Sequence, residues 1–342
     1  MAKLGVAVVG VGGMGMRHAE NLRRRVPGAR LVAVSDVARE RASEVAAELE
    51  IEHSYSDAQE MLHRKDIDCV VIASPDRFHA SAIQAAAAAG KDILCEKPLA
   101  LSLADAQHAL EAVVKAKVRL QIGFMRRYDP AYRAAKARIE SGEIGEPVVF
   151  KSHGRDKEEP PLSAYQSGVN GMLFYNNTIH DFDLARWLMQ DEVSEVQAYA
   201  TVAIRPEIAK YGDIVAGVVN LKYGSGAIGN IESYVQAAYG YDVRTEIVGS
   251  KGSILVGTPW QAPATLLTAQ GGTQPLEDHY LTRFADAYLA EIRDVVDNMK
   301  NGREPRVTGE DGLRALEIAV AAENSYREGK TCNVHQGAAL SA

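Results

Sequence analysis

Lys97 stands just beyond an apolar run, 92 to 95, inside the tetrapeptide Cys95-Glu96-Lys97-Pro98. A lysine at a strand end within a crevice can hydrogen-bond a hydroxyl and steady negative charge that develops on its oxygen. Read alone, a lysine beside a proline is a solvated surface residue. A second group is Asn176 and His180, in the segment Tyr175-Asn176-Asn177-Thr178-Ile179-His180-Asp181-Phe182. Ile179, Phe182, Leu184, Trp187 and Leu188 give a helical stripe with Asn177 or Thr178 as its N-cap, so Asn176 and His180 can point toward one end of one face. A histidine titrating near neutral pH can take the proton of a hydroxyl while the adjoining carbon loses hydride. The plainer reading is a helix-end histidine satisfied by a neighbour.

Hydride needs an acceptor, and the first fifteen residues are suited to hold one. A strand-like run, Leu4 to Val9, breaks into Gly10, Gly12 and Gly15, with a helix expected over 14 to 25. Gly10 permits the tight turn, the bare backbone at Gly12 lets a pyrophosphate approach, and Gly15 lets the helix pack closely on the strand. The phosphates would lie along Gly10 to Met14, including Gly13, on helix N–H groups. A second run, Leu31 to Val34, ends in Ser35 and Asp36, a carboxylate 21 residues past Gly15 that can accept both hydroxyls of an adenosine ribose. The pattern predicts NAD. Asp36 repels a 2′-phosphate, and Arg39 and Arg41 nearby leave NADP possible. After the run 69 to 73, Ser74 and Pro75 would line the nicotinamide side. His79 is a further cofactor candidate, readable equally as a helix N-terminal residue.

These groups require a scaffold that collects strand ends. Short apolar runs at 4 to 9, 31 to 35, 51 to 54, 69 to 73, 92 to 95 and 118 to 122 alternate with helices expected at 14 to 25, 38 to 49, 57 to 63, 78 to 89 and 103 to 115. That alternation predicts a doubly wound parallel sheet of the Rossmann type over 1–122. From 123 to 342 the pattern changes to one helix near 129 to 140 and alternating segments at 146 to 152, 193 to 205, 213 to 222, 225 to 236, 243 to 249 and 252 to 256. Hairpin-like turns join them, and helical stretches follow at 278 to 301 and 310 to 328. An α+β domain with a large, open, mainly antiparallel sheet is expected there. An exposed sheet with apolar positions would be covered by another subunit, which predicts a homo-oligomer, dimer or tetramer.

Bulk properties narrow the function. A chain of 342 residues is long for one core. Its net charge of −7 provides no basic surface for nucleic acid or anionic lipid. No run of roughly eighteen apolar residues or secretory leader pattern is present, so a cytoplasmic protein without membrane contact is expected. Cys69, Cys95 and Cys332 are widely spaced, and two lie in apolar runs, so they read as buried thiols with no metal role.

The combination of Gly10-x-Gly12-x-x-Gly15, Asp36, Ser74-Pro75, Glu96-Lys97-Pro98 and a downstream helix carrying His180 resembles the glucose-fructose oxidoreductase, inositol dehydrogenase and rhizopine catabolism family, Gfo/Idh/MocA, from Leu4 to about Tyr326. Residues 121 to 132 and 239 to 242 are most similar to its inositol 2-dehydrogenase branch. The resemblance implies NAD(P)-dependent oxidation of a CH–OH group of a cyclic polyol or sugar. Lys97 would be the catalytic lysine and His180 the acid/base, with Glu96 in the cofactor motif. Arg127, Asp129, His153, Tyr241 and Tyr280 would line the substrate pocket. That branch carries aspartate four residues before the histidine, where this chain has Asn176, which orients an imidazole without stabilising its cation by charge. Two alternatives follow: a sugar-nucleotide or anhydrosugar dehydrogenase of the same family, and a non-catalytic NAD- and sugar-sensing regulator.

Overall fold

In the computed structural model, which describes residues 3–158, 162, 165, 173–258 and 265–334, the alternating first part of the sequence becomes a six-stranded parallel sheet. Its strands are β1 (Leu4–Val9), β2 (Ala29–Ser35), β3 (His53–Tyr55), β4 (Cys69–Ile72), β5 (Asp92–Glu96) and β6 (Leu120–Gly123), in the order β3-β2-β1-β4-β5-β6. Every pairing is parallel. Helices cover both faces of such a sheet, so its inner strands are apolar throughout: all four residues of β4 are buried. The covering helices are α1 (Gly13–Arg24), α2 (Arg39–Glu48), α3 (Ala58–Leu62), α4 (His79–Ala88) and α5 (Leu103–Ala116). Asp57 caps α3 by accepting from the Gln59 N–H at 2.8 Å, and Ser102 caps α5 from the Asp105 N–H at 3.1 Å. The strand order reverses between β1 and β4, which opens the crevice at their C-terminal ends where doubly wound sheets take ligands.

The later strands are β7 (Pro147–Arg155), β8 (Val193–Thr201), β9 (Ala216–Tyr223), β10 (Ile228–Tyr234), β11 (Asp242–Gly249) and β12 (Ser253–Val256), with a small hairpin of β13 (Leu266–Thr268) and β14 (Gly271–Thr273), and a final β15 (Cys332–Asn333). Seven of them form one sheet, ordered β12-β11-β7-β10-β9-β8-β15. Its pairings are antiparallel except for β7 with β10, which run parallel. Helices α6 (Pro130–Glu140), α7 (Leu173–Asn176) and α8 (Ile179–Met189) belong to this part, and α8 packs on β7. Gly217 of β9 leaves room for the Phe174 ring of α7, which a Cβ would meet at 3.0 Å.

The last helices are α9 (Tyr280–Arg283), α10 (Ala285–Lys300) and α11 (Gly309–Glu328). The continuous helix expected over 278 to 301 is therefore broken at Phe284, which ends α9 with its ring fully buried. Contacts divide the chain into two units, one of Met1–Met125 with Asp286–Leu316, the other of Arg126–Ala285 with Glu317–Gln336. The first unit's leading segment ends at Met125, where the sequence suggested domains of 1–122 and 123–342, and α10 belongs to the first unit. Leu289, Ile292, Val295, Val296 and Met299 of α10 share one core with Leu4, Val6, Leu22, Val26 and Leu31. Burial of that apolar stripe assigns the helix to the parallel sheet, despite its distance in sequence. The three cysteines are free thiols, and burial pushes the Cys69 and Cys95 thiols well up.

Candidate active site

The glycine turn between β1 and α1 is built as its spacing requires. Gly10 has φ +80°, and a Cβ there would lie 2.7 Å from the Ser74 backbone nitrogen. A Cβ on Gly15 would collide with the Gly10 carbonyl, so the turn closes on itself only with glycine at that position. Gly12, the N-cap of α1, has open space where a Cβ would stand and no side-chain cap bond. The Asp36 carboxylate is tied to this turn: Oδ2 accepts from the Val11 N–H at 2.9 Å and Oδ1 from the Ala38 N–H at 3.0 Å. Gly10, Asp36, Ser74 and Pro75 line one cavity of about 430 Å³, which Arg77, Phe78, Gln59 and Ser81 also border. An open cradle at a helix N-terminus, beside a fixed carboxylate and an apolar slot, fits the pyrophosphate and adenosine of NAD.

At the end of β5, Glu96 is buried and Lys97 is half-buried. His18 of α1 donates from Nε2 to Glu96 Oε1 at 2.7 Å. Burial alone would raise the Glu96 carboxyl. The His18 hydrogen bond and charge, with the charges of Lys97 and His79, outweigh it and hold the group below the usual range. His79, which opens α4, is also buried, and its ring nitrogens lie 2.7 Å from the Pro98 carbonyl and 2.8 Å from the Ser74 carbonyl. Its side chain joins the two strand-end loops at Ser74 and Pro98. Lys97 is thus flanked by two residues that buried histidines hold.

In the second unit Asn176 and His180 fall in consecutive short helices. Asn176 ends α7, whereas His180 lies in the first turn of α8, whose N-cap is Thr178. The single helical face expected for the pair is therefore two consecutive short helices. Thr178 Oγ1 donates to the Leu173 carbonyl instead of capping α8. His180 is buried, 8 % exposed, and its neighbour Asp181 accepts from Arg126 at 2.9 Å and from Ser152 Oγ at 2.5 Å. Asp181 keeps the Arg126 guanidinium charged, its attraction outweighing the cost of burial.

The other candidates spread around this centre. Arg127 donates to Asp183 through Nε at 2.9 Å and a terminal nitrogen at 2.6 Å. Asp129 caps α6 and accepts from Arg283 at 2.8 Å. Tyr241 is buried, edge-on to Phe284 at 6.3 Å, and burial pushes its phenol up. Tyr280 begins α9, three residues before Arg283. His153 alternates with Ser152 on β7, so it falls on the face opposite the one that reaches Asp181. There its Nε2 stands 3.6 Å from Asp242, a carboxylate that also accepts from Arg244 and Tyr239. Those bonds outweigh burial and hold Asp242 well below the usual carboxylate range.

Two family models account for nearly the whole chain: an oxidoreductase family NAD-binding Rossmann fold over residues 4–124 and the C-terminal alpha/beta domain of the same family over 136–334. The chain belongs to the Gfo/Idh/MocA oxidoreductase family. Among its curated Gfo/Idh/MocA relatives is the scyllo-inositol 2-dehydrogenase (NAD(+)) of Bacillus subtilis, 40 % identical over 323 residues, 94 % of each chain. The myo-inositol 2-dehydrogenase of Thermotoga maritima is 39 % identical over 97 % of this chain and 98 % of its own. Among solved structures, scyllo-inositol dehydrogenase from Lactobacillus casei with bound NAD(H) and scyllo-inositol superposes with a TM-score of 0.90 at 30 % identity, covering 97 % of this chain and 99 % of that one.

Sequence reasoning missed two buried residues near Glu96, His18 and Glu291. His18 follows Gly15 by one turn of α1, a spacing that places it beneath the glycine turn but says nothing about its partner 78 residues away. Glu291 falls on the apolar stripe of α10 between Tyr288 and Ile292, and a charged residue on such a stripe was the available signal.

Proposed function

We propose that this protein oxidises a secondary hydroxyl of a cyclic polyol, an inositol, with NAD as the cofactor. The observation that carries the reading is similarity along almost the full length of both chains to dehydrogenases named for inositol, at up to 40 % identity. The cavity shared by the glycine turn and Asp36 supports NAD over NADP, since a 2′-phosphate would meet the Asp36 carboxylate. Bound NAD would supply the hydride acceptor. In our reading Lys97 hydrogen-bonds the reacting oxygen and balances its charge, and His180 takes the hydroxyl proton. Asn176 positions rather than charges the imidazole. Arg127, Asp129, Tyr241 and Tyr280 belong to the substrate side, the first two acting through the ion pairs that fix their elements.

We further propose a homo-oligomer formed through the open face of the seven-stranded sheet and a cytoplasmic setting. Tyr199, Val218, Ile228 and Leu255 are exposed, and strand register places them on one face of β8, β9, β10 and β12. The described helices include none long and apolar enough to cross a membrane.

The test mixes NAD or NADP with a panel of inositols, pyranoses and UDP-sugars and follows the reduced-nicotinamide absorbance. NAD-dependent turnover confined to inositols is expected. Turnover confined to UDP-sugars, or none with any member of the panel, would replace this reading. Lys97→Met and His180→Ala should each lower kcat by about 10²–10⁴-fold while NAD still binds, and near-normal turnover in either variant would remove its assignment.

A further inference from the structure

Glu291, on α10, is fully buried, and neither of its carboxyl oxygens meets a hydrogen-bond partner among the described residues. One of its oxygens, a His18 ring nitrogen and a Glu96 oxygen all lie within 4.8 Å of one another. Tyr288, one turn before Glu291, stands edge-on to the His18 ring at 6.2 Å. We propose that Glu291 is a positioning residue for the hydride-transfer reaction, acting through the His18–Glu96 pair on the Lys97 that follows it. The inference rests on the reading of Lys97 as the group that holds the reacting oxygen.

The Glu96 carboxylate is fixed on two sides. Oε1 accepts from His18, and Oε2 lies over Gly123 of β6, where a Cβ would stand 2.9 Å away. Glu291 occupies a third side. Were both carboxylates ionised, Glu291 would be a buried charge with no hydrogen bond among the described residues, a costly arrangement. Glu96 has the histidine, so Glu291 holds a proton. Burial, then the charge of Glu96 and that of Asp294 on its own helix, push its carboxyl well up. The charged and titratable groups around the pair are His18 from α1, His79 from α4, Lys97 beyond β5, and Glu291 and Asp294 from α10. With Glu291 neutral, Glu96 keeps its His18 hydrogen bond and no second negative charge lies beside it. The 2.7 Å separation of His18 and Glu96 is that of a hydrogen bond.

The experiment compares the full-length wild-type protein with Glu291→Gln, Glu291→Leu and Lys97→Met. The carbonyl infrared band of a protonated carboxylic acid should be present in wild type at neutral pH and lost in Glu291→Gln. That variant, neutral and similar in shape, should keep kcat and its pH profile. Glu291→Leu, which fills the space without polar contact, should lose kcat by roughly ten- to a hundredfold with NAD affinity unchanged. Wild-type kcat in Glu291→Leu would overturn the proposal. So would absence of the infrared band, a pH profile displaced by Glu291→Gln, or stoichiometric metal whose removal abolishes turnover. If Lys97→Met keeps normal turnover while the band is present, the Lys97 reading fails and the protonation of Glu291 stands.

Discussion

His18 donates to Glu96 at 2.7 Å inside the first unit, joining the helix that follows the glycine turn to the strand end that precedes Lys97. A buried hydrogen bond therefore ties the glycine-turn helix to the strand end that presents the lysine. Removing the imidazole leaves the carboxyl buried without its donor. His18→Ala should destabilise the protein by about 3–5 kcal/mol. Its pH dependence should change sign. In wild type the carboxyl is held below its unfolded value of about 4.3, so its contribution is present above that pH and is lost as pH falls through the depressed native value. In His18→Ala burial dominates and raises the carboxyl, so stability falls as pH rises. Melting temperature measured from pH 5 to 8 should decline with pH in the variant relative to wild type, and parallel curves would refute this.

Glu291 is the opposite case within the same cluster. Its carboxyl is raised in the native state, so its favourable contribution is complete below the unfolded value of about 4.3 and diminishes as pH rises toward the native value. Glu291→Gln removes the titration. Its melting temperature should exceed that of wild type at pH 8, with a gap that narrows toward pH 5. A gap independent of pH would show that the group does not titrate between the two states.

Asp36→Ala removes a carboxylate that orders the glycine turn and lines the cavity proposed to take the adenosine ribose. Loss of charged hydrogen bonds worth roughly 1.5–3 kcal/mol should weaken NAD binding about ten- to a hundredfold. Affinity for NADP should change less, because the repulsion of its 2′-phosphate disappears with the same substitution. Calorimetric titration with both dinucleotides reads this, and an equal loss for the two would discard Asp36 as the discriminating group.

Asp181→Asn tests the buried ion pair beside His180. It leaves the Arg126 guanidinium, 3 % exposed, without its counter-charge. A cost of about 3–5 kcal/mol is expected in chemical denaturation. Asp181→Asn together with Arg126→Met should recover part of it. No recovery in the double variant would mean that Ser152 and the packing of α8 on β7, not the pair, account for the loss.

The first sheet was legible in detail because its signals are local: β1 begins with its apolar run at Leu4 and α5 begins at Leu103, where a helix was expected. The glycine turn and Asp36 were legible for the same reason, since one βαβ unit contains both. Legibility ended where contacts are distant. Nothing near Glu96 points to His18, and the parallel seat of β10 beside β7 is invisible to alternation, which is the same for either direction. Asn176 and His180 kept helical spacing but not one helix, because Thr178 turns its hydroxyl back to Leu173 and Ser233. His153 sits at an alternating position, and only the register of β7 shows which side of the sheet it takes.

The seating of α10 in the first core has a consequence for synthesis. As the chain leaves the ribosome, the cofactor-binding sheet is translated early but lacks Leu289, Ile292, Val295 and Met299 until some 160 further residues, 126–285, have emerged. Its apolar surface stays open for that interval, so the cofactor-binding sheet gains its last wall only after residues 126–285 have been translated. A gene fragment encoding residues 1–125 would direct synthesis of a sheet with one wall missing.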